Sequence, residues 1–211
     1  MSILKFKNTT LHRLRLEELL FKHKNQFTGK LLDIGSKNRR YDEWFSNVDE
    51  ICAVDLVPDQ KNEVKFGDIE VGLDYEDGSF DGILMIEVME YLSNPQKALM
   101  EIARLLRSGG KAILTMPFMY REHNDLLRLT EKGFIECIPE NCTVCIVEKI
   151  GNRFIVLADI IGINLRNIRS RSLRLIAVGL WLPILCLVHM PYFWKKRDAF
   201  YSGMFYIIEK K

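Results

Sequence analysis

Short apolar runs separated by polar turns dominate the hydrophobic pattern of this chain and predict a sheet. Most of these runs are continuous rather than alternating, as expected for strands whose two faces are both covered. An acid, a glycine or a proline stands at or next to the end of most of them. The predicted strands are residues 31–34, 51–56, 64–69, 80–86, 111–117, 143–149 and 203–209.

The segment before the first strand has the apolar spacing of an amphipathic helix. Its apolar positions are Leu11, Leu14, Leu16, Leu19 and Leu20. The preceding Thr9 and Thr10 are candidate N-caps, because a threonine hydroxyl can accept a hydrogen bond from the first turn. We expect this helix to pack on the sheet, with a substrate lid as the alternative.

Two more segments are predicted to be helical. Residues 93–110 give the strongest signal, because a cap candidate precedes Pro95, apolar residues recur at helical spacing and Gly109 ends the pattern. Residues 130–138 form a second helix, capped by Thr130. Strands and helices therefore alternate, which predicts an α/β protein with a doubly wound sheet.

The segment LLDIGSKNRRY, residues 31–41, is the first candidate ligand loop. Gly35 follows the first strand, at the carboxyl end where open α/β sheets bind ligands. The other glycines of a nucleotide-binding loop are absent, and Lys37 and Arg39 stand in their region. Taken alone, the pattern fits a ligand turn and an ordinary strand-to-helix turn equally well.

Asp55 favours the ligand interpretation. It ends the second strand about twenty residues after Gly35, the spacing of a carboxylate that accepts hydrogen bonds from ribose hydroxyls. The alternative is a surface acid at the end of a strand.

Composition describes a globular protein: 48% of the 211 residues are hydrophobic and 27% are charged. The net charge of +2 hides an acidic first part, with 20 Lys/Arg against 25 Asp/Glu in residues 1–150, and a basic tail, with 10 against 3. We therefore expect an anionic partner to meet the tail. No nucleic-acid partner is expected.

The cysteine pattern and the N-terminal residues favour a cytoplasmic location. Five scattered cysteines form no disulfide framework, and no apolar leader is evident. Cys142 and Cys145 have C-x-x-C spacing but lie on a predicted strand, where side chains three apart face opposite ways. We expect no metal site.

An ordered set of short motifs makes the chain resemble the class I S-adenosylmethionine-dependent methyltransferases over residues 30–134. The set comprises LeuAspIleGly at 32–35, ValAsp at 54–55, GlyAsp at 67–68, AspGlySerPheAsp at 77–81, GluValMetGluTyrLeu at 87–92 and ArgSerGlyGly at 107–110. Residues 117–130 are similar to a branch often associated with bacterial surface polysaccharide and lipid-linked glycan pathways.

The resemblance implies a mostly parallel, seven-stranded Rossmann-like methyltransferase sheet whose last strand is antiparallel at the sheet edge. It also implies S-adenosyl-L-methionine as the cofactor, with its amino end near Asp33. The implied cofactor-binding residues are Asp33, Gly35, Ser36, Asp55, Leu56, Asp68, Ile69 and Glu87. Asp55 would hold the ribose and Asp68 the adenine edge. Lys37 departs from the usual second glycine, and Tyr91 stands where relatives commonly have histidine.

Methyl transfer needs an acceptor positioned in line with the methyl group and, for a hydroxyl or an amine, a group that removes a proton. His123 is the candidate base and Arg128 the candidate ligand of an anionic sugar or phosphate, and both follow the fifth strand. A solvated or bracing surface loop is the alternative for both. Glu87 is the third candidate catalytic residue; it could pair with Glu90 as acid and base, or one of the two could cap a helix.

The tail contains an uncharged run, residues 175–194, between basic flanks. Its length fits a transmembrane helix, but Pro183 and Pro191 interrupt it, and the last strand must return to the sheet. We expect 166–197 to bind a membrane surface without crossing it.

The predicted organisation is a helical extension at 1–29, a cofactor-binding core at 30–150, a basic hydrophobic insertion at 151–201 and a final core strand at 202–211. The sequence predicts a methyltransferase that acts on a glycan or lipid-linked acceptor, peripheral at the cytoplasmic membrane face. Two alternatives are a non-catalytic module that binds a membrane or partner, and a nicotinamide dehydrogenase.

Overall fold

The structure is a computed structural model that describes residues 9–188 and 199–211. Part of the predicted membrane-binding segment, including Pro191 and the basic flank at 195–197, lies outside the described residues.

Seven strands form one mixed sheet in the order β3-β2-β1-β4-β5-β7-β6. Neighbours from β3 to β5 are parallel, and β7 is antiparallel to both of its neighbours. This is the predicted Rossmann-like methyltransferase sheet. The strands are β1 (Gly29–Ile34), β2 (Val48–Asp55), β3 (Val64–Phe66), β4 (Phe80–Ile86), β5 (Leu106–Pro117), β6 (Cys142–Ile150) and β7 (Gly203–Lys210).

The sequence led us to expect the last strand at the edge of the sheet, but it lies inside the sheet. β7 inserts between β5 and β6, so that β6 is the edge strand. Residues 203–208 are all buried, which fits an interior position for this wholly apolar run. On β6, Cys142 is buried and Cys145 is exposed, so their side chains do not converge.

The helices are α1 (Leu11–His23), α2 (Pro95–Leu105), α3 (Glu131–Ile135), α4 (Arg153–Arg166) and α5 (Arg171–Val188). α2 ends five residues earlier than predicted, because Leu106 already pairs with Phe80 as the first residue of β5. The pairing register then shifts before Lys111 pairs with Gly82, and Gly109 adopts a φ of +75° in that irregularity. Gly109 is therefore part of an irregularity in β5 and is not the C-cap of α2.

The sequence predicted that β1 turns into a helix; the turn is present, but the helix is not. β1 is followed by turns and one 3₁₀ turn at Asp42–Trp44, with no α-helix before β2. Both Lys37 and Arg39 have positive φ values, 54° and 53°, which interrupt a right-handed helix at the point where it would begin.

The sheet face beside β1 is covered by α1 and by the segment around Tyr41 instead. Leu16 and Leu20 of α1 join Tyr41, Phe45 and β-strand side chains in one buried cluster. The helix thus packs on the sheet, as predicted, and Thr10 caps it by accepting a hydrogen bond from the Arg13 amide.

α4 and α5 extend this side of the molecule. The Asp159 carboxylate on α4 accepts hydrogen bonds from the amides of Leu11 and His12 at 2.7 and 2.8 Å, which satisfies the N-terminus of α1. Trp181 of α5 is buried in a third cluster with side chains of α1 and α4. None of the helices within the described ranges is both long and apolar enough to span a bilayer.

Candidate functional site

A cavity of about 730 Å³ lies at the carboxyl edge of the parallel strands, where β1, β2, β3 and β4 end. It is bounded on the remaining side by the start of α1 and by the loop after β5. Seven of the eight predicted cofactor-binding residues line it: Gly35, Ser36, Asp55, Leu56, Asp68, Ile69 and Glu87. His123 also lines it, so residues far apart in the sequence share one site.

The Gly35 loop turns sharply at the floor of this cavity. Gly35 has a φ of +73°, and an added Cβ would lie 2.3 Å from Val88 Cγ2, so both conformation and packing require glycine. Lys37 adopts a φ of +54°, the conformation that a glycine would favour at this position. The substitution that departs from the family pattern therefore leaves the backbone path of the loop intact. The Ser36 hydroxyl is buried and has no hydrogen-bond partner among the described residues.

Asp55 and Asp68 form the acidic end of the cavity. Asp55 accepts hydrogen bonds from the Lys37 amide at 3.1 Å and the Val57 amide at 2.9 Å, which fix the carboxylate between two loops. Asp68 accepts one from the Glu70 amide at 2.9 Å. Both carboxylates keep acceptor capacity for hydroxyl or amine donors of a ligand.

Asp33 is the predicted cofactor residue that does not line the cavity. It is buried within β1, and burial raises the pKa of its carboxyl group to about 7. A neutral or partly ionised Asp33 lies beneath the loop that starts at Gly35, so its contact with a ligand is indirect.

Glu87 projects into the cavity from a left-handed backbone position, with a φ of +56° directly after β4. Such conformations are unfavourable for residues other than glycine and occur often at functional sites. Its carboxylate accepts a hydrogen bond from the Thr115 hydroxyl at 3.1 Å and contacts His12 Nε2 at 3.0 Å. Burial raises the pKa of Glu87, but His12, the Arg13 charge and the Thr115 hydrogen bond together bring the pKa below its usual value.

His12 is a buried part of the site that the sequence analysis missed. The Ser202 hydroxyl donates its proton to the Ile150 carbonyl oxygen at 2.8 Å, so its oxygen accepts from His12 Nδ1 at 2.9 Å. The other ring nitrogen faces the ionised Glu87 carboxylate. Both ring nitrogens therefore lie within hydrogen-bonding distance of oxygen atoms, and the side chain joins α1 to the end of β4.

Glu90 is the second residue that was not assigned to the site. It lies in a 3₁₀ turn, Met89–Tyr91, lines the cavity and is fully buried. Neither carboxylate oxygen has a hydrogen-bond partner among residues 9–188 and 199–211. Burial, with the nearby Glu87 charge, raises the pKa of Glu90 to about 8. The pKa values of two acids three residues apart are thus shifted in opposite directions.

The loop after β5 presents His123 to the cavity. The His123 amide and Nδ1 bond to Asp125 Oδ1 at 2.9 and 3.1 Å, and the ring lies 5.6 Å from that of Tyr91. The hydrogen bond to Asp125 fixes the ring while Nε2 faces no bonding partner among the described residues, an arrangement that suits a proton acceptor.

Arg128 does not line the main cavity. Its guanidinium group donates to the Asp125 carboxylate and to the carbonyl oxygens of Phe118, Tyr120 and Arg121. The hydrogen bond from Arg128 to the Asp125 carboxylate holds the pKa of Asp125 well below its usual range. The structure therefore favours the bracing alternative for Arg128 over the predicted role of binding the acceptor.

A smaller cavity of about 430 Å³ adjoins the main one and shares residues with it. Three arginines from three separate segments line it: Arg13 of α1, Arg40 of the Gly35 loop and Arg121 of the loop after β5. No acid is among its described lining residues. Arg40 pairs with Glu17 outside it, whereas no described side chain pairs with Arg121. We call this space the arginine cavity.

The sequence contained only weak signals for His12 and Glu90. His12 occupies the same face of α1 as Leu16 and Leu20, so a polar residue on the apolar face of a predicted helix was visible. Its partner Glu87 is 75 residues away, and no local pattern pairs the two. Glu90 was weighed only as one half of an acid–base pair.

Comparison with known proteins agrees with this fold. Residues 32–114 match the family model described as a methyltransferase domain, a segment that spans β1 to β5 of the core. No curated protein matches the chain.

Solved structures match 71% to 95% of this chain at low identity. The cyclase SpnF is 18% identical, with 94% of this chain and 81% of that one covered and a TM-score of 0.59. The YcgJ protein of Bacillus subtilis is 17% identical, with coverages of 95% and 99% and a TM-score of 0.57. The N-methyltransferase NodS of Bradyrhizobium japonicum WM9, in complex with S-adenosyl-L-homocysteine, is 16% identical over 71% and 84% of the chains, with a TM-score of 0.52.

These likenesses establish the methyltransferase-type fold. One of the matched structures is a cyclase, so the fold by itself does not specify methyl transfer. The activity has to be argued from the cavity and the residues that line it.

Proposed function

We propose that the protein is an S-adenosylmethionine-dependent methyltransferase. The observation that carries the proposal is the main cavity, where the Gly35 loop, Asp55 and Asp68 converge at the carboxyl ends of β1, β2 and β3 within the segment that matches a methyltransferase domain. The cofactor supplies an electrophilic methyl group when it is bound.

The chemistry of the cavity fits this cofactor. Asp55 and Asp68 present acceptors at one end, as ribose hydroxyls and an adenine amine require. Leu56 and Ile69 add apolar surface beside the two acids. The non-catalytic alternative was based mainly on Lys37, and that argument loses force because Lys37 keeps a glycine-like backbone conformation.

His123 is the proposed base of the reaction. Its Nε2 would take the proton from the acceptor while Asp125 holds the ring in place through Nδ1. Glu87, fixed by His12 and Thr115, would position the acceptor or the cofactor at the same wall. Replacing His123 by alanine should leave cofactor affinity intact and lower methyl transfer by roughly 10².

The acceptor is proposed to be a glycan or a lipid-linked molecule with an anionic group. The arginine cavity supports this choice, because it adjoins the main cavity and has three arginines and no acid among its described lining residues. Arg13 and Arg40 each also bond a side chain of the protein, Tyr41 and Glu17, whereas no described side chain pairs with Arg121. Phosphate and carboxylate groups bind well to such planar donors.

The tail is proposed to bring the site to a membrane surface. α5 leaves large apolar side chains in solvent, among them Leu175 at 65% and Leu180 at 73% exposure, and the sequence around it is basic. An exposed apolar face between basic flanks suits the interface of an anionic membrane.

Calorimetric titration tests the core of the proposal. S-adenosylmethionine and S-adenosylhomocysteine should both bind, and NAD should not. Asp55→Ala should weaken both cofactors at least about tenfold, since a charge-assisted bond to a hydroxyl is worth about 1.5 to 3 kcal/mol. Equal binding of NAD would favour the dehydrogenase alternative. Binding of neither cofactor at millimolar concentration would refute the proposal.

Turnover needs a second measurement, because the fold also occurs in a cyclase. Transfer of a labelled methyl group from S-adenosylmethionine to a bacterial lipid extract should depend on the protein and be lost in His123→Ala. Cofactor binding without transfer to lipid, glycan or protein fractions would favour the non-catalytic alternative.

A further inference from the structure

Glu90 is an acid with no hydrogen-bonding or ion-pair partner for its carboxyl group within the described part of the chain. Both carboxyl oxygens are buried and have no partner among the described residues, although Glu90 belongs to the wall of a cavity large enough for a nucleoside ligand. Native structures satisfy most buried polar groups, so an exception in a cavity wall calls for a ligand explanation.

The backbone holds Glu90 firmly in this position. Its carbonyl oxygen accepts hydrogen bonds from the Leu126 amide at 2.7 Å and the Leu127 amide at 3.2 Å. These bonds tie the turn after β4 to the loop after β5. Glu90 is therefore held in the cavity wall by a fixed backbone and not by a loose surface turn.

Within the described part of the chain, the one cation that lowers the pKa of Glu90 is already engaged elsewhere. Arg128 is the nearby cation, and its guanidinium group is already bonded to Asp125 and to three carbonyl oxygens. Glu87 adds negative charge from the end of β4. The titratable or charged groups that face Glu90 are Glu87, Tyr91, Asp125 and Arg128.

We propose that Glu90 is the counter-ion of the cofactor's positively charged sulfur, so that S-adenosylmethionine binds with release of a proton and is distinguished from its uncharged product. This inference rests on the proposed function. The step is a simple ionisation: the Glu90 carboxylic acid loses its proton to solvent, and the carboxylate that remains faces the sulfonium ion.

The direction of the pH effect follows from the geometry. Without a ligand, burial keeps Glu90 protonated near neutral pH, since its pKa is about 8. A cation in the same cavity favours the ionised form and lowers the pKa. The thioether of S-adenosylhomocysteine carries no such charge, while the rest of the molecule is the same. Titrations shared by the two ligands therefore cancel in the ratio of their affinities.

The test is the ratio of S-adenosylmethionine affinity to S-adenosylhomocysteine affinity, measured by calorimetry at pH 6, 7 and 8. The ratio should rise about tenfold over this range if the sulfonium lowers the Glu90 pKa by more than one unit. Titration in two buffers of different ionisation enthalpy should show release of about half a proton or more at pH 7 for S-adenosylmethionine only.

Two variants complete the experiment. Glu90→Gln keeps the shape and the neutral charge state of the free protein but cannot ionise, so the ratio of the two affinities should become independent of pH. Glu76→Gln changes an exposed acid that does not line the cavity and should behave like the wild type.

A pH-independent ratio in the wild type would overturn the inference, and so would an unchanged pH dependence in Glu90→Gln. In both cases tight binding of the two cofactors would leave the proposed function standing. If neither cofactor binds, the proposed function and this inference fall together.

Discussion

His12 Nε2 lies 3.0 Å from Glu87 Oε2, and this contact joins the N-terminal helix to the end of β4 across 75 residues of sequence. Both side chains are buried, at 3% and 11% exposure. The contact brings the start of α1 to one wall of the cavity and holds the Glu87 side chain, whose backbone has a left-handed φ. The N-terminal helix thus belongs to the candidate active site.

The first prediction concerns this pair. Replacing His12 by alanine leaves a buried carboxylate with only the Thr115 hydroxyl, so the free energy of unfolding should fall by about 3 kcal/mol, measured by urea denaturation at pH 7. In a Glu87→Gln background the same replacement should cost clearly less, because no buried charge remains. Equal costs in the two backgrounds would show that His12 acts through packing alone.

The second prediction uses the strain in the Gly35 loop. Lys37 has a φ of +54°, which is unfavourable for a residue with a Cβ, so Lys37→Gly should raise the free energy of unfolding by about 1 kcal/mol. Asn38→Gly is the matched control: its φ is not positive, and the added chain entropy should destabilise the protein. If both variants are destabilised to the same extent, the loop does not have this conformation in solution.

The Lys37 example shows what sequence reasoning could and could not establish. The order of buried strands followed from continuous apolar runs, and the pairing of the Gly35 loop with Asp55 followed from their spacing. The path of the chain after Gly35 could not be predicted from the sequence. Lys37 and Arg39 have positive φ values, which their residue types disfavour locally and which the tertiary structure imposes.

Long-range contacts were the other limit. Nothing local marks β7 as an interior strand, because its burial depends on pairing with β5 and β6. The same holds for Glu90: its sequence neighbours give no sign that the carboxyl group is buried without a partner. Sequence patterns located the site, whereas its electrostatic character required the folded arrangement.

The third prediction concerns stability and pH. The folded-state pKa of Glu90, about 8, lies above the usual value of 4.5. Below pH 4.5 Glu90 is protonated in both the folded and the unfolded protein, so its ionisation does not change the free energy of unfolding. As the pH rises toward 8, the unfolded chain ionises while the folded protein keeps its proton, so stability falls. Glu90→Gln should therefore gain about 3 kcal/mol over the wild type at pH 7 and almost nothing near pH 4.5.

Urea denaturation between pH 4.5 and pH 8 measures this difference, with Glu76→Gln as the exposed control. A gain that stays constant across the range would mean that Glu90 has an ordinary pKa. Stabilisation on removal of an acid is expected where a binding group is held in an unfavourable state before its ligand arrives.

The last prediction is that the α4–α5 region binds a membrane surface. The return of β7 to the sheet requires both ends of the intervening segment to lie on one side of any bilayer, and this favours an interfacial position. α5 leaves Leu175 and Leu180 largely exposed, and basic residues near anionic lipid add about 1 kcal/mol each. We expect sedimentation with vesicles rich in phosphatidylglycerol and release by high salt. Joint replacement of Leu175 and Leu180 by glutamate should abolish sedimentation, whereas glutamate at Val71, an apolar residue that is 84% exposed, should not. A protein that stays in the supernatant with every vesicle composition would show that this apolar face serves a contact other than lipid.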